Sequence, residues 1–266
     1  MSKTLSPFQP PQLAMQVMRK VPEVTIIFWI VKLLTTAMGE STSDYLVFHV
    51  NPYLAVALAG VGLIASLALQ LWVRRYVPWI YWLAVVMVAI FGTMAADVMH
   101  VVLGIPYLVS SMFFAIALAI VFIAWYASEK TLSIHSINTL RRELFYWATV
   151  IATFALGTAT GDLTAATLHL GYFASGVLFV VLFAIPFLAS RLLGLKEVAA
   201  FWFAYIMTRP LGASFADWFG KPSLGGLGLG DEKVSLVLTI LIIGFVGYLT
   251  VTRKDKKEEY MNGERG

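Results

Sequence analysis

The sequence predicts an all-α polytopic membrane protein with about eight transmembrane helices, arranged as four parallel two-helix repeats. Three observations carry this. Hydrophobic residues fill 59% of the 266 positions and only 13% are charged, whereas soluble globular domains hold about 45–50% apolar and about 25% charged residues. Apolar runs of roughly 20 residues, the length a helix needs to cross a ~30 Å hydrocarbon core, recur near 24–43, 53–73, 78–98, 107–127, 144–163, 170–189, 198–218 and 234–252. One spaced pattern, W-x9-G-x4-D, then occurs four times along the chain.

Residues 1–22 bring two basic residues up to the first run but contain no apolar segment ending in a small-residue cleavage site, so they are expected to be a retained tail. Repeat one covers 23–76, repeat two 77–140, repeat three 141–195 and repeat four 196–252; residues 253–266 form a basic tail whose R-K-D-K-K start suits a membrane surface. Trp29, Trp82, Trp147 and Trp202 are each followed ten residues later by Gly39, Gly92, Gly157 and Gly212, and five further on by Asp44, Asp97, Asp162 and Asp217. The chain holds eight Trp, 20 Gly and six Asp, so four chance coincidences are not credible and the pattern marks internal duplication. Every copy sits on an odd-numbered span and is followed by a second span. Each unit therefore returns to the side it left, all four are parallel, and the aspartates share one level around an axis along the membrane normal. An inverted repeat does not fit an even-span unit.

The net charge of +4 could suggest nucleic acid, but its distribution argues for a bilayer and no nucleic-acid partner. Fifteen Lys and Arg, among them Lys3, Arg19, Lys20, Arg74, Arg75, Arg141, Arg142 and Lys256, fall on one side of an eight-span topology, and Lys221 and Lys233 on the other. The positive-inside rule then expects both termini in the cytoplasm. With no cysteine, disulfides, thiolate metal sites and cysteine nucleophiles are excluded.

At 100° per residue, Trp29, Lys32, Thr36, Glu40 and Asp44 share one stripe of the first span, and Trp82/Thr93/Asp97, Trp147/Thr158/Asp162 and Trp202/Arg209/Asp217 share the equivalent stripes. Ionisable groups inside a bilayer are costly and line pathways or pair with one another. Glu40, Asp44, Asp97, Asp162 and Asp217 are the candidate cation ligands, and Lys32 and Arg209 the candidate charge partners. Ionised together, these seven leave three negative charges to be offset. Carboxylates beside Thr35, Thr36, Thr93, Thr158 and Thr160 suit Mn, Mg, Ca or protons. If the helices continue, His100 and His169 share a face with Asp97 and Asp162 and would join Glu40, Asp44, Asp97 and Asp162 as metal ligands. Two other readings stand beside this one: the aspartates as helix caps or surface groups near the interface, with Lys32 and Arg209 as structural glue, and a pathway for protons or other substrates.

The motif tryptophans and nearby tyrosines read as interfacial belt residues. Gly225 to Gly230, G-G-L-G-L-G, is no dinucleotide fingerprint, because no strand surrounds it; it reads as a flexible external loop. His135 reads as a solvated residue of the 128–142 connection. Glu23, Glu143 and Glu197 stand near the starts of odd spans, where carboxylates favour helix N-termini.

The segments K-L-L-T-T-A-M-G-E-S-T-S-D at 32–44 and R-P-L-G-A-S-F-A-D-W-F-G-K-P at 209–222, followed by G-G-L-G-L-G, resemble a bacterial integral membrane family defined by a four-fold repeat of unknown function. The resemblance covers nearly the whole chain and implies the four-repeat membrane architecture in a bacterial inner membrane. Repeats two and three lack the Lys and Glu of repeat one, so the copies are not equivalent. The expectation is a transporter of a small cation, above all a divalent metal as substrate, with possible proton coupling, no tightly bound cofactor and no enzymatic role. A metal-dependent intramembrane hydrolase and a non-catalytic assembly partner are the alternatives.

Overall fold

Short polar punctuation sets the helix ends in the computed structural model, which describes residues 20–255. Lys3, Arg19, Lys256, Lys257 and Arg265 lie outside the described residues. Thr25 accepts a hydrogen bond from Phe28 N and starts α1 (Ile26–His49). Asn51 accepts from Tyr53 N and Leu54 N ahead of α2 (Pro52–Trp72), and α3 (Pro78–Asp97) also opens on a proline, whose missing N–H costs nothing in a first turn. There follow α4 (Tyr107–Glu129), α5 (Leu140–Asp162) capped by Thr139, α6 (Gly171–Leu192), α7 (Glu197–Gly220) and α8 (Asp231–Thr252). Among the described residues there is no strand.

Six of these helices, α2, α3, α4, α5, α6 and α8, are long and apolar enough to cross a membrane. The expectation of eight such spans is thus met for six. The two that fall short, α1 and α7, carry Lys32, Glu40 and Asp44 and Arg209 and Asp217, so the polar stripe itself lowers their hydropathy.

The odd helices form a closed inner ring in the order α1, α3, α5, α7 and back to α1. The even helices lie outside it. Of the most apolar stretches of α3 and α5, 56% and 61% of residues are buried, against 28% for α2 and α4 and 22% for α6 and α8. Exposed apolar residues such as Leu58, Ile64, Ile116, Ile123, Val181, Leu188, Ile240 and Ile243 cover the outer helices.

Each even helix packs chiefly on the inner helix of the following repeat rather than on its own: α2 on α3, α4 on α5, α6 on α7. The last one, α8, closes the circle on α1. The motif glycines make the same step. A Cβ on Gly39 would lie 2.9 Å from the Ala89 carbonyl carbon, on Gly92 2.7 Å from Phe154 Cβ, on Gly157 3.0 Å from Pro210 Cδ and on Gly212 2.8 Å from Thr36 Cβ. Ala89, Phe154, Arg209 and Thr36 each stand three residues before the next motif glycine, so the contact repeats around the ring. In lipid, where helices gain little from the hydrophobic effect on meeting, such backbone approach is a main source of association energy.

Three of the four motif tryptophans are core rather than belt residues, and Trp29 is half-buried against Phe183, Phe187 and Phe201. Trp82, Trp147 and Trp202 are buried and pack with Phe28, Tyr81, Tyr146 and Tyr205 at one end of the ring. Because the odd helices fill the interior, tryptophans on their inner stripe have no lipid to meet.

Candidate cation site

The residue after each motif glycine defines a level of the ring: Glu40, Thr93, Thr158 and Ala213. Arg209, buried on α7, extends its guanidinium into that level. Nη2 donates to Glu40 Oε2 at 2.7 Å, to Thr158 Oγ1 at 2.7 Å and to Thr93 Oγ1, while Nη1 donates to the Thr36 carbonyl at 3.3 Å. One arginine thereby touches all three other inner helices. Its own repeat contributes Ala213, the smallest side chain of the four. Charge-assisted bonds of this kind are about twice as strong as neutral ones, and the arrangement joins the expected partners Arg209 and Glu40.

Four residues on, about 6 Å along the helices, lies the aspartate level. Lys221 Nζ stands 2.9 Å from Asp44 Oδ2 and 2.8 Å from Asp217 Oδ1, bridging α1 and α7. Oxygens of Glu40, Asp44 and Asp217 all lie within 4.8 Å of one another. An octahedral ion with oxygen ligands at about 2.1–2.4 Å needs oxygens separated by about 3–5 Å, so the three carboxylates fit a hard cation. Burial works against the Lys221 ammonium, but Asp217, Asp44 and Glu40 outweigh it and hold its pKa well above the ordinary lysine value.

The G-G-L-G-L-G segment secures this lysine. Instead of a free loop, it folds back on the end of α7: Leu227 N donates to Trp218 O at 2.6 Å, Leu229 N to Phe219 O at 2.9 Å and Gly230 N to Gly220 O at 3.1 Å. Carbonyls that a helix end leaves unpaired are thereby satisfied. Gly225, Gly228 and Gly230 have φ of 81°, 65° and 92°, values that suit glycine.

Asp97 and Asp162 point to the same region but stand apart from the tight group. Both are half-buried, and both lie within electrostatic reach of Glu40 and Asp44. The expected imidazoles do not join them. Directly after each aspartate the helix widens into a π turn, Val98–Val102 and Leu163–Thr167, so the α-helical face assumed for Asp97/His100 and Asp162/His169 is lost. His100 stacks on Tyr107 at 3.4 Å between ring centroids, with Nδ1 2.8 Å from the Ile105 carbonyl. His169 lies past the π turn, exposed, with φ 57°.

Lys32 does not pair with Glu40. They stand about 12 Å apart along the helix, Glu40 is taken by Arg209, and the Lys32 side chain turns to aromatic rings instead. Its fully buried Nζ has no hydrogen-bond partner among the described residues and sits 3.9 Å from the centroid of Phe154 and 4.3 Å from that of Tyr205. Desolvated cation–π contacts are worth about 2 kcal/mol, less than the several kcal/mol an isolated buried ion costs. Arg209 lies over the same Phe154 ring, 5.2 Å from its centroid.

The tryptophan end is tied by other polar groups. Lys20 Nζ donates to Glu143 Oε2 at 2.5 Å and Gln70 Nε2 to Glu143 Oε1 at 3.0 Å, so Glu143 serves this buried cluster as well as the first turn of α5. Rather than being merely solvated, His135 stands 3.7 Å from Glu23 and 3.8 Å from Glu197. His135 and Glu197 border a mainly apolar cavity of about 310 Å³ lined by Trp29, Phe187 and Phe201, at the opposite end from the aspartates of the motif.

Sequence reasoning missed Lys221, counting it only as a basic residue beyond the membrane. The available signal was its spacing: it follows Asp217 by four residues, the distance at which helical neighbours meet. The family described as Repeat of Unknown Function (DUF347) matches the chain four times, over residues 27–76, 80–131, 145–193 and 200–255. No curated protein and no solved structure matches the chain.

Proposed function

The chain belongs to that repeat family, and from this premise together with the geometry of the ring we propose that it is a membrane carrier for a small cation, with a divalent metal ion as the substrate of best fit. The observation that carries the reading is the convergence of Glu40, Asp44 and Asp217 from two inner helices, with oxygens within 4.8 Å of one another and an ammonium already between two of them. A divalent cation entering from the aspartate side replaces Lys221 between Asp44 and Asp217 and adds positive charge where five carboxylates gather. Asp97 and Asp162 support it through space, and Arg209 keeps Glu40 oriented until the ion arrives.

In this reading all eight helices cross the membrane, α1 and α7 shielded from lipid by their neighbours in the ring and by the outer helices. Both termini face the cytoplasm of a bacterial inner membrane, as the distribution of Lys and Arg favours. Ser223→Cys is then labelled by an impermeant reagent from outside; labelling only after permeabilisation would reverse the orientation.

Flux into proteoliposomes tests the function. With Mn²⁺ as probe, the wild type is expected to carry it and Glu40→Gln, which keeps the shape and an acceptor for Arg209, to fall to the background of empty vesicles while remaining folded. Wild-type vesicles that leak no faster than empty ones would remove the carrier reading and favour a role in membrane assembly.

A further inference from the structure

Three basic side chains lie along the inner stripe, and their surroundings differ in kind. Lys221 stands between two carboxylates at 2.8 and 2.9 Å. Arg209 has Glu40, two threonine hydroxyls and a carbonyl. Lys32 has two aromatic faces and no acceptor among the described residues. It also sits on the other side of the arginine level from the aspartates, seven residues before Gly39, where the equivalent positions are Val85, Val150 and Tyr205. A fully buried cation at a position that two other copies fill with valine is not needed for packing.

We propose that Lys32 is the proton-exchanging group of the carrier: its ammonium gives up a proton when a divalent cation binds at Glu40, Asp44 and Asp217, and takes one back when the cation leaves. This deepens the carrier reading and rests on it. The chemistry favours Lys32 over its neighbours. A guanidinium does not deprotonate in proteins, so Arg209 cannot serve, and Lys221, when the ion displaces it, lies past the end of α7 with its side chain 23% exposed, where water can solvate the ammonium. From α7 Lys32 faces Arg209 and Tyr205 and from α5 Phe154, with Arg209 the charge acting on it. Among the described residues no carboxylate pairs with it, and a further positive charge arriving along the axis raises the cost of keeping the ammonium.

In the exchange an N–H bond of Lys32 breaks, the electron pair stays on Nζ, and the proton passes to water at the tryptophan end, where the Tyr81 and Tyr146 hydroxyls stand 2.5 Å apart one turn beyond Lys32. The reverse step reloads the amine. One positive charge therefore leaves the interior for each divalent ion that enters, and the direction of a pH gradient sets the direction of accumulation.

The test counts protons. Mn²⁺ is titrated into the purified full-length protein in weak buffer, with binding and released protons recorded together, for the wild type and for Lys32→Met, which keeps the length of the side chain and its contacts with Phe154 and Tyr205. The expected result is a Mn²⁺ isotherm for Lys32→Met at least as tight as that of the wild type, because the charge opposing the ion is gone, with one proton fewer released per ion, and proteoliposome flux that no longer responds to a tenfold proton gradient. Lys32→Arg, whose charge is fixed, is expected to bind Mn²⁺ at least tenfold more weakly. Lys32→Met that binds Mn²⁺ with an unchanged proton count would overturn this inference alone, whereas a wild type that binds no Mn²⁺ would overturn the carrier reading and this one with it.

Discussion

Repeats one and four differ from repeats two and three in what their inner helices do beyond the motif glycine. Helices α1 and α7 run on as regular α-helix to His49 and Gly220 and carry Lys32, Glu40 and Arg209, with Lys221 just past the end. Helices α3 and α5 present Thr93 and Thr158 at the level of Glu40, then widen into π turns directly after Asp97 and Asp162. The hydroxyls accept from the arginine of repeat four, and the aspartates stand back from the tight carboxylate group. Duplication supplied four equivalent positions at each level. Divergence then placed the basic groups and the second carboxylate, Glu40, on one adjacent pair of helices and left the other pair as walls that are neutral at the level of Glu40. The lesson is that the four-fold repeat describes the scaffold, and the departures from it mark where charge is handled.

Removing the central charge is the most severe way to break this contrast. Arg209→Met leaves Glu40 buried without its partner and two threonine hydroxyls without their donor, and truncating one member of a buried ion pair costs about 3–5 kcal/mol. The midpoint of thermal unfolding in detergent should fall accordingly, and Arg209→Met combined with Glu40→Gln should recover a good part of the loss. A single variant as stable as the wild type would show that the charged pair of helices is not held together by this arginine.

The neutral walls should respond less. Thr93→Val and Thr158→Val each remove one acceptor from the arginine while keeping the volume, an effect of about 1 kcal/mol per hydrogen bond. Equal losses from the two variants are expected, because α3 and α5 present equivalent hydroxyls to the same nitrogen; a loss confined to one of them would break the symmetry of the walls. Smallest of all, His100→Ala and His169→Ala should leave Mn²⁺ binding unchanged within twofold, and the exposed His169→Ala should leave stability within about 0.5 kcal/mol. A tenfold loss of affinity in either variant would return imidazole to the site.

Much of the scaffold was legible in the sequence because it repeats. The W-x9-G-x4-D spacing located the four inner helices and placed their aspartates at one level, and the polar stripe pointed Glu40, Asp44, Asp217 and Arg209 to a common interior. What escaped depends on relations that no linear period carries. That α2 packs on α3 rather than on α1 follows from the shapes of facing surfaces, not from the hydropathy of either helix. The π turns after Asp97 and Asp162 shift the helical face by part of a turn, enough to detach His100 and His169 from a face that a constant 100° step assigned to them. Lys32 was taken as a charge partner by stripe alone, whereas Arg209 from α7 takes Glu40 and leaves Lys32 against aromatic rings. Lys221 was hidden by its position one residue beyond the end of α7.

The circular packing has a consequence for how the chain is made. Apart from α3, the helices that pack most closely on α1 are α7 and α8, which leave the ribosome last. At about 5–20 residues per second, the roughly 200 residues between the end of α1 and the end of α8 take about 10–40 s to synthesise. For that interval the least apolar of the early helices waits with Glu40 lacking its arginine and Asp44 its lysine. Closure of the circle thus waits for the fourth repeat, and any nascent chain arrested before it exposes its most polar stripe to the insertion machinery or to lipid.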